Sequence, residues 1–320
     1  MKKILLLLLF VQASAQVKPL IAPPNLKPGD TVGIIATARK IDAATLNPAV
    51  ALLKSWGLHV VLGRTIGKDE DQLAGPDWLR ATDLQQMMDD PSIKLIWSAK
   101  GGYGTVRIVD RLDFTKFKKR PKWIAGFSDC TVLHSHLQTL GFQTIHGFMA
   151  LSAKSASAEA ISSFKTALFG GSRGYELARS PLDRNGKAEG ILTGGNLSVL
   201  YSLIGSESEV DMKGKILFIE DLDEYLYHID RMMMNLRRNG YFKDIKGLVI
   251  GGMTSMNDND VPWGHTAEEI IRDIVKDYDF PVLFNFPAGH IRDNRSLIMG
   301  ENVTLEVTEK QATLKSTPKR

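Results

Sequence analysis

The tetrad Gly126-Phe127-Ser128-Asp129 is the place where this sequence most plainly offers chemistry. An apolar run, Lys122 to Ala125, leads into it, and a stretch of helical period, Thr131 to Leu140, follows. Strand, sharp turn and helix make the setting of a nucleophile elbow, in which the turn lifts a serine hydroxyl clear of the sheet. The helix would add its N-terminal dipole and free N–H groups, which favour negative charge on an attacked carbonyl. The same residues also suit a plain helix start capped by Ser128 or Asp129, and Cys130 stands where a second glycine is usual. The tetrad alone leaves both readings open.

A second loop has the same construction. Lys94 to Ser98 is a β-rich apolar run, and Gly101-Gly102-Tyr103-Gly104 follows it. Adjacent glycines at a strand end let backbone N–H groups come close to a ligand. They could cradle a phosphate, although neither common nucleotide-binding glycine pattern is completed. They could equally form half of an oxyanion hole facing Ser128 across neighbouring strand ends.

A serine nucleophile needs a base, and the base needs an orienting group. Of seven histidines, His290 suits the role best, because it follows a strand and Pro287-Ala288-Gly289. His146 closes a strand before Gly147 and could line the cleft. His134 and His136 form an HxH pair expected to point away from the helix start, and no third ligand lies near, so a metal site is not expected. His59, His228 and His265 have ordinary surface-like settings. The orienting carboxylate could be Glu220 or Asp221, which end the apolar run Lys215 to Ile219; Glu220 also reads as a helix-start carboxylate. Ser128, Glu220 and His290 would then meet at the interface between two domains.

The elements that must position these groups alternate. Thr31 to Thr37 reads as a buried strand, Ala44 to Trp56 as a helix, His59 to Leu62 as a strand and Trp78 to Met88 as a helix. Val106 to Leu112 reads as a helix and Gln143 to His146 as a short strand. Such alternation indicates a parallel sheet covered on both faces. Gly170 to Gly190 has no apolar period and reads as a linker or crossover. Beyond it, Lys215 to Ile219, Gly247 to Gly251 and Pro281 to Phe286 read as strands, with helices over Ile229 to Arg238 and Ala267 to Tyr278. Ser296 to Leu314 alternates as a closing hairpin. The fold class expected is therefore α/β: an N-terminal parallel sheet flanked by helices and carrying the elbow, plus a smaller C-terminal α/β domain of swivelling type closed by β-strands. The boundaries are 1–15 for a signal peptide, 16–169 for the nucleophile domain, 170–189 for the linker and 190–320 for the domain supplying base and carboxylate.

Bulk properties set the remaining limits. Lys2 and Lys3 precede a short apolar stretch, and Ala13-Ser14-Ala15 has the small-x-small pattern of a signal-peptidase site, so export to the periplasm with cleavage before Gln16 is expected. Removing residues 1–15 from the 320 leaves 305, a length for about two domains. The net charge of +4 falls to +2 without those two lysines, and the remaining lysines are scattered, which argues against nucleic acid. Cys130 is the single cysteine, so no internal disulfide can form. No later segment is apolar enough to cross a membrane.

Taken together, the blocks LIWSAKGGYG, PKWIAGFSD, TIHG, GILTGGNLSVLYSLIG, LFIEDLDEYLYHIDRM and FPAGH resemble the LD-carboxypeptidase family of serine peptidases, which includes the microcin-immunity hydrolases. The resemblance covers essentially the whole mature chain. It implies a Ser-Glu-His triad of Ser128, Glu220 and His290, and an oxyanion hole from the backbone N–H groups of Gly102 and Asp129. Gly101, Tyr103 and His146 are candidate substrate contacts. The implied reaction releases the terminal D-alanine of a murein tetrapeptide by cleaving its bond to an L-centred diamino acid, with no metal or organic cofactor, in a protein that commonly forms homodimers. Three positions depart from the family's pattern: Lys100 replaces arginine, Phe127 replaces tyrosine and Phe148 replaces proline. The alternatives are hydrolysis of peptidyl- or aminoacyl-nucleotide mimics, or muropeptide binding without catalysis.

Overall fold

The computed structural model of the chain describes residues 20–317. The expected signal peptide, residues 1–15, lies outside them. Short runs rich in Val, Ile and Leu form the strands, and segments that repeat apolar residues every three to four positions form the helices. The first half runs β1 (Thr31–Ile35), α1 (Asn47–Ser55), β2 (His59–Leu62), α2 (Asp77–Asp89), β3 (Ile93–Ser98), α3 (Thr115–Lys119), β4 (Trp123–Gly126), α4 (Thr131–Thr139), β5 (Thr144–His146) and α5 (Ala158–Phe169). The second half runs β6 (Gly174–Ala178), β7 (Gly186–Asn196), α6 (Leu197–Leu203), β8 (Lys215–Leu222), α7 (Leu226–Arg238), β9 (Gly247–Thr254), α8 (Ala267–Ile274), β10 (Val282–Leu283), β11 (Leu297–Met299), β12 (Asn302–Val307) and β13 (Gln311–Ser316).

Two sheets organise the molecule. The first has the order β2-β1-β3-β4-β5-β11, parallel except for β11, which runs antiparallel to β5. One of its faces packs on α1 and α5 through Ala49, Leu53 and Phe164, and the other on α2 and α4 through Leu84, Met88, Leu133 and Leu137. The central strands β3 and β4 are buried on both faces, as parallel strands covered by helices must be. The second sheet has the order β10-β9-β8-β7-β12-β13-β6. Strands β7 to β10 run parallel, while β12, β13 and β6 close the edge antiparallel. Among the described residues, no helix is long and apolar enough to cross a membrane.

Four elements differ from the sequence expectation. Val106 to Leu112 is not one helix but two 3-10 turns, Thr105–Arg107 and Val109–Arg111, because the chain here is held by contacts to Arg80 and Asp129 described below. Gly170 to Gly190, expected as linker or crossover, contains β6 and the start of β7. Tyr175 and Leu177 alternate toward the second core, a period-2 signal lost among Gly, Arg and Ser. The strand expected over Pro281 to Phe286 keeps only Val282–Leu283, since Asn285 turns the chain at φ +56°. The closing hairpin divides at Gly300 (φ +88°): β11 joins the first sheet, and β12 and β13 form the hairpin in the second.

Candidate active site

Strand β4 ends in a residue that must be glycine. A Cβ on Gly126 would stand 2.8 Å from the Ser98 Cβ and 3.1 Å from the Cys130 Cβ, so any side chain would push the turn away from the sheet. Ser128 follows with φ +58°, a conformation a non-glycine residue holds only when its surroundings impose it. Ser128 opens the 3-10 turn Ser128–Cys130, which runs directly into α4. The strained backbone marks an elbow rather than an ordinary N-cap; the serine side chain caps nothing. Burial pushes the Cys130 thiol far up, so it stays protonated and unreactive.

Buried polar groups hold this turn. His134 reaches back from α4: its Nε2 lies 2.9 Å from the Gly126 carbonyl oxygen, and its Nδ1 lies 2.8 Å from Thr144 Oγ1. The expectation that His134 points away from the helix start is thus corrected; one turn of helix carries its ring back over the strand end. His136 goes elsewhere, to Ser208 Oγ at 3.0 Å and the ring of Phe114. Among the described residues, no three His, Cys, Asp or Glu side chains gather as metal ligands. Asp129 turns inward and accepts the Thr105 N–H at 2.9 Å, and its burial pushes the carboxyl pKa up.

The glycine loop is secured from beneath. The fully buried Arg80 donates from Nη1 to the carbonyls of Thr37 (2.6 Å) and Gly104 (2.9 Å), donates from Nε to Gly75 (3.1 Å), and pairs with Asp77. A guanidinium can satisfy three separate carbonyls in one plane, which lysine could not do. The loop thereby comes to rest with Gly101 against the serine: a Cβ at Gly101 would stand 3.1 Å from Ser128 Oγ. Gly102 has φ +111°. Neither the Gly102 nor the Asp129 N–H finds an acceptor among the described residues. Tyr103 stands out of the loop, 60% exposed.

On the second sheet, β8 carries adjacent acids with opposite fates. Glu220 is fully buried, and its Oε2 accepts both the His290 backbone N–H (3.1 Å) and His290 Nδ1 (2.7 Å). A carboxylate only accepts, so this pair sets the proton on Nδ1 and leaves Nε2 with a lone pair. Asp221 faces away, accepting from Asn196 Nδ2 and the Ser198 N–H, both at 2.8 Å, at the start of α6. Of the two acids, Glu220 is therefore the one bonded to His290. Gly289 (φ +109°) makes room for it, because a Cβ there would lie 2.8 Å from the Glu220 Cβ. Asn294 Oδ1 accepts the Gly289 N–H at 2.9 Å and fixes that turn.

The two halves meet through Phe127. Its ring lies 4.6 Å from the His290 ring, which puts the histidine beside the residue preceding Ser128. Behind Phe127, His146 is completely enclosed, with its ring near those of Phe127 (5.9 Å) and Phe218 (4.9 Å), and burial holds its pKa well below the usual histidine value. It lies inside the wall rather than on a solvent-open cleft. The end of β7 docks on α4, where the Asn196 N–H donates to Thr131 Oγ1 at 3.0 Å and Gly195 leaves no room for a side chain beside Thr131. The supports Arg80, His134, Asn196 and Asn294 carry no local signal in the sequence, because each acts on a group that only the fold brings near.

Known proteins similar to this chain give its family. The sequence model of the LD-carboxypeptidase N-terminal domain matches residues 32–147, and that of the LD-carboxypeptidase C-terminal domain matches residues 189–305. A probable murein peptide carboxypeptidase of Bacillus subtilis is 35% identical over 300 residues, covering 92% of this chain and 94% of its own length. The murein tetrapeptide carboxypeptidase of Pseudomonas aeruginosa is 29% identical over 287 residues, covering 86% and 92%. The crystal structure of muramoyltetrapeptide carboxypeptidase from Oxalobacter formigenes superposes with a TM-score of 0.83 at 27% identity, over 90% of this chain and 99% of that one. A microcin C7 self-immunity protein shares the fold, with a TM-score of 0.81 at 22% identity over 93% and 99%. This chain belongs to the LD-carboxypeptidase family.

Proposed function

We propose that this chain is a serine carboxypeptidase that releases the terminal D-alanine of murein tetrapeptides through an acyl-enzyme. The observation that carries the reading is the pair of buried Glu220 and half-buried His290, packed against Phe127 next to a serine held at positive φ. His290 Nε2 takes the proton of Ser128 Oγ as the oxygen attacks the carbonyl carbon. The tetrahedral oxyanion accepts from the Gly102 and Asp129 N–H groups, and Glu220 stabilises the imidazolium. His290 then gives its proton to the leaving nitrogen and D-alanine departs. A water attacks the acyl-serine by the same route in reverse. Ser128 Oγ has no hydrogen-bond partner among the described residues; contacts of this kind often shorten only when substrate binds.

The relatives named as murein peptide carboxypeptidases support the substrate class. Residues 1–15 support export with cleavage before Gln16, so that the peptide would be trimmed in the periplasm. The first test is Ser128→Ala, which should lose D-alanine release by about 10⁴-fold or more. Full activity in that variant sinks the mechanism, and hydrolysis of an acyl-adenylate in place of the tetrapeptide would favour the nucleotide alternative. Mass spectrometry of protein from the periplasmic fraction should begin at Gln16, and a chain retaining Met1 in the cytosol would refute export.

A further inference from the structure

We propose that Arg39 reads the free carboxylate of the residue to be released, and so makes this site a carboxypeptidase rather than an endopeptidase. The inference rests on the carboxypeptidase reading above. Its starting point is the closeness of Arg39 to the reacting groups. A Cβ on Gly102 would stand 2.5 Å from Arg39 Cγ and Cδ and 2.8 Å from Nε, so the arginine stem lies flat on that glycine. Gly101, one residue earlier, rests on Ser128 Oγ. The chain of contact Arg39–Gly102–Gly101–Ser128 sets a guanidinium beside the loop that would hold the oxyanion. In a peptide the carboxylate of the last residue lies only about 3–4 Å from the carbonyl carbon under attack, so its receptor must stand next to the oxyanion loop.

A cation there would also offset the buried carboxylate of Glu220, which stands beside the site. Three other cations of this region already have partners. Lys40 pairs with Asp69 at 2.7 Å, Lys100 Nζ donates to the Lys40 carbonyl at 3.3 Å, and Arg80 is enclosed with Asp77. Arg39 is exposed, and among the described residues its guanidinium makes no hydrogen bond or ion pair. Its backbone is nevertheless fixed: its N–H donates to the Gly101 carbonyl at 3.3 Å, and it bridges to Leu73. A rigid stem with a free fork suits bidentate carboxylate binding.

The test compares the murein tetrapeptide with its C-terminal amide, using the full protein and the variants Arg39→Gln and Arg39→Lys. The wild type should prefer the free acid by about tenfold to a hundredfold in kcat/KM, the span expected of a charge-assisted hydrogen bond. Arg39→Gln should raise KM for the acid by a similar factor, leave kcat within a few-fold and erase the acid-over-amide preference. Arg39→Lys should keep part of that preference. An Arg39→Gln enzyme that still prefers the acid overturns the inference and leaves the carboxypeptidase reading intact. A wild type that releases neither D-alanine from the acid nor D-alaninamide from the amide overturns both.

Discussion

The two strand ends that face each other at the site are built by opposite means. On the first sheet, the end of β4 holds backbone strain: Gly126 has no room for a side chain, Ser128 sits at φ +58°, and His134 pairs with the Gly126 carbonyl to keep the turn there. On the second, the strand supplying Glu220 is regular apart from one bulge, and the cost lies in burying a carboxylate against His290. Under the proposed mechanism the difference follows from what each residue would do. A nucleophile needs its hydroxyl lifted out of the sheet, which only an unusual backbone achieves. An orienting carboxylate needs a dry, fixed partner, which packing supplies.

Changes on the two sides should therefore fail in different ways. After Ser128→Ala, the largest effect is expected from Glu220→Gln, which keeps shape and burial but no longer enforces the Nδ1–H tautomer. D-alanine release should drop by about 10³- to 10⁴-fold with the melting temperature nearly kept, and an activity within tenfold of wild type would break the assignment. Gly126→Ala should fail the other way. It should lose about 2–4 kcal/mol of stability by overpacking against Ser98 and Cys130, measurable by urea unfolding, and lose activity with it. A fully stable Gly126→Ala protein would show that the turn is not held as tightly as its contacts imply.

The two sides should also answer pH with opposite signs. Burial holds His134 down to about 4, against an ordinary value of 6.5, so between these values the unfolded chain binds more protons than the folded one. Its contribution is complete above about pH 6.5 and is lost as pH falls toward 4, a change on the order of 3 kcal/mol. Burial, then the neighbouring Glu220 charge, pushes Asp221 up to about 6. Its contribution is complete below about pH 4 and is lost as pH rises through 6. Melting curves from pH 7.5 to 4 should show a shallower acid decline in His134→Gln and a steeper one in Asp221→Asn. Unchanged slopes in both would remove the contrast. The smallest effect is expected on turnover by Asp221→Asn. It loses an acceptor for Asn196 or Ser198 but does not touch His290, so its rate should stay within tenfold, and a loss like that of Glu220→Gln would erase the distinction between the two acids.

Much of the site is legible in local sequence. Ser128, Gly101 and Gly102 stand out because a turn after a strand demands glycine and small polar residues within a few positions, and the alternating strands and helices of the first sheet follow from local periodicity. The choice between Glu220 and Asp221 is not legible, since adjacent strand residues face opposite sides and nothing local says which side holds the histidine. The 3-10 turns at Thr105–Arg107 and Val109–Arg111 carry a helical period, yet their geometry answers to Arg80 and Asp129, 24 residues away on either side. By itself the sequence determined which groups could react, because side-chain chemistry and turn propensity are local. Only the tertiary structure decided which carboxylate meets His290, 70 residues on, which histidines brace the turn and where the arginine lies, because burial and contact exist only after distant segments pack together.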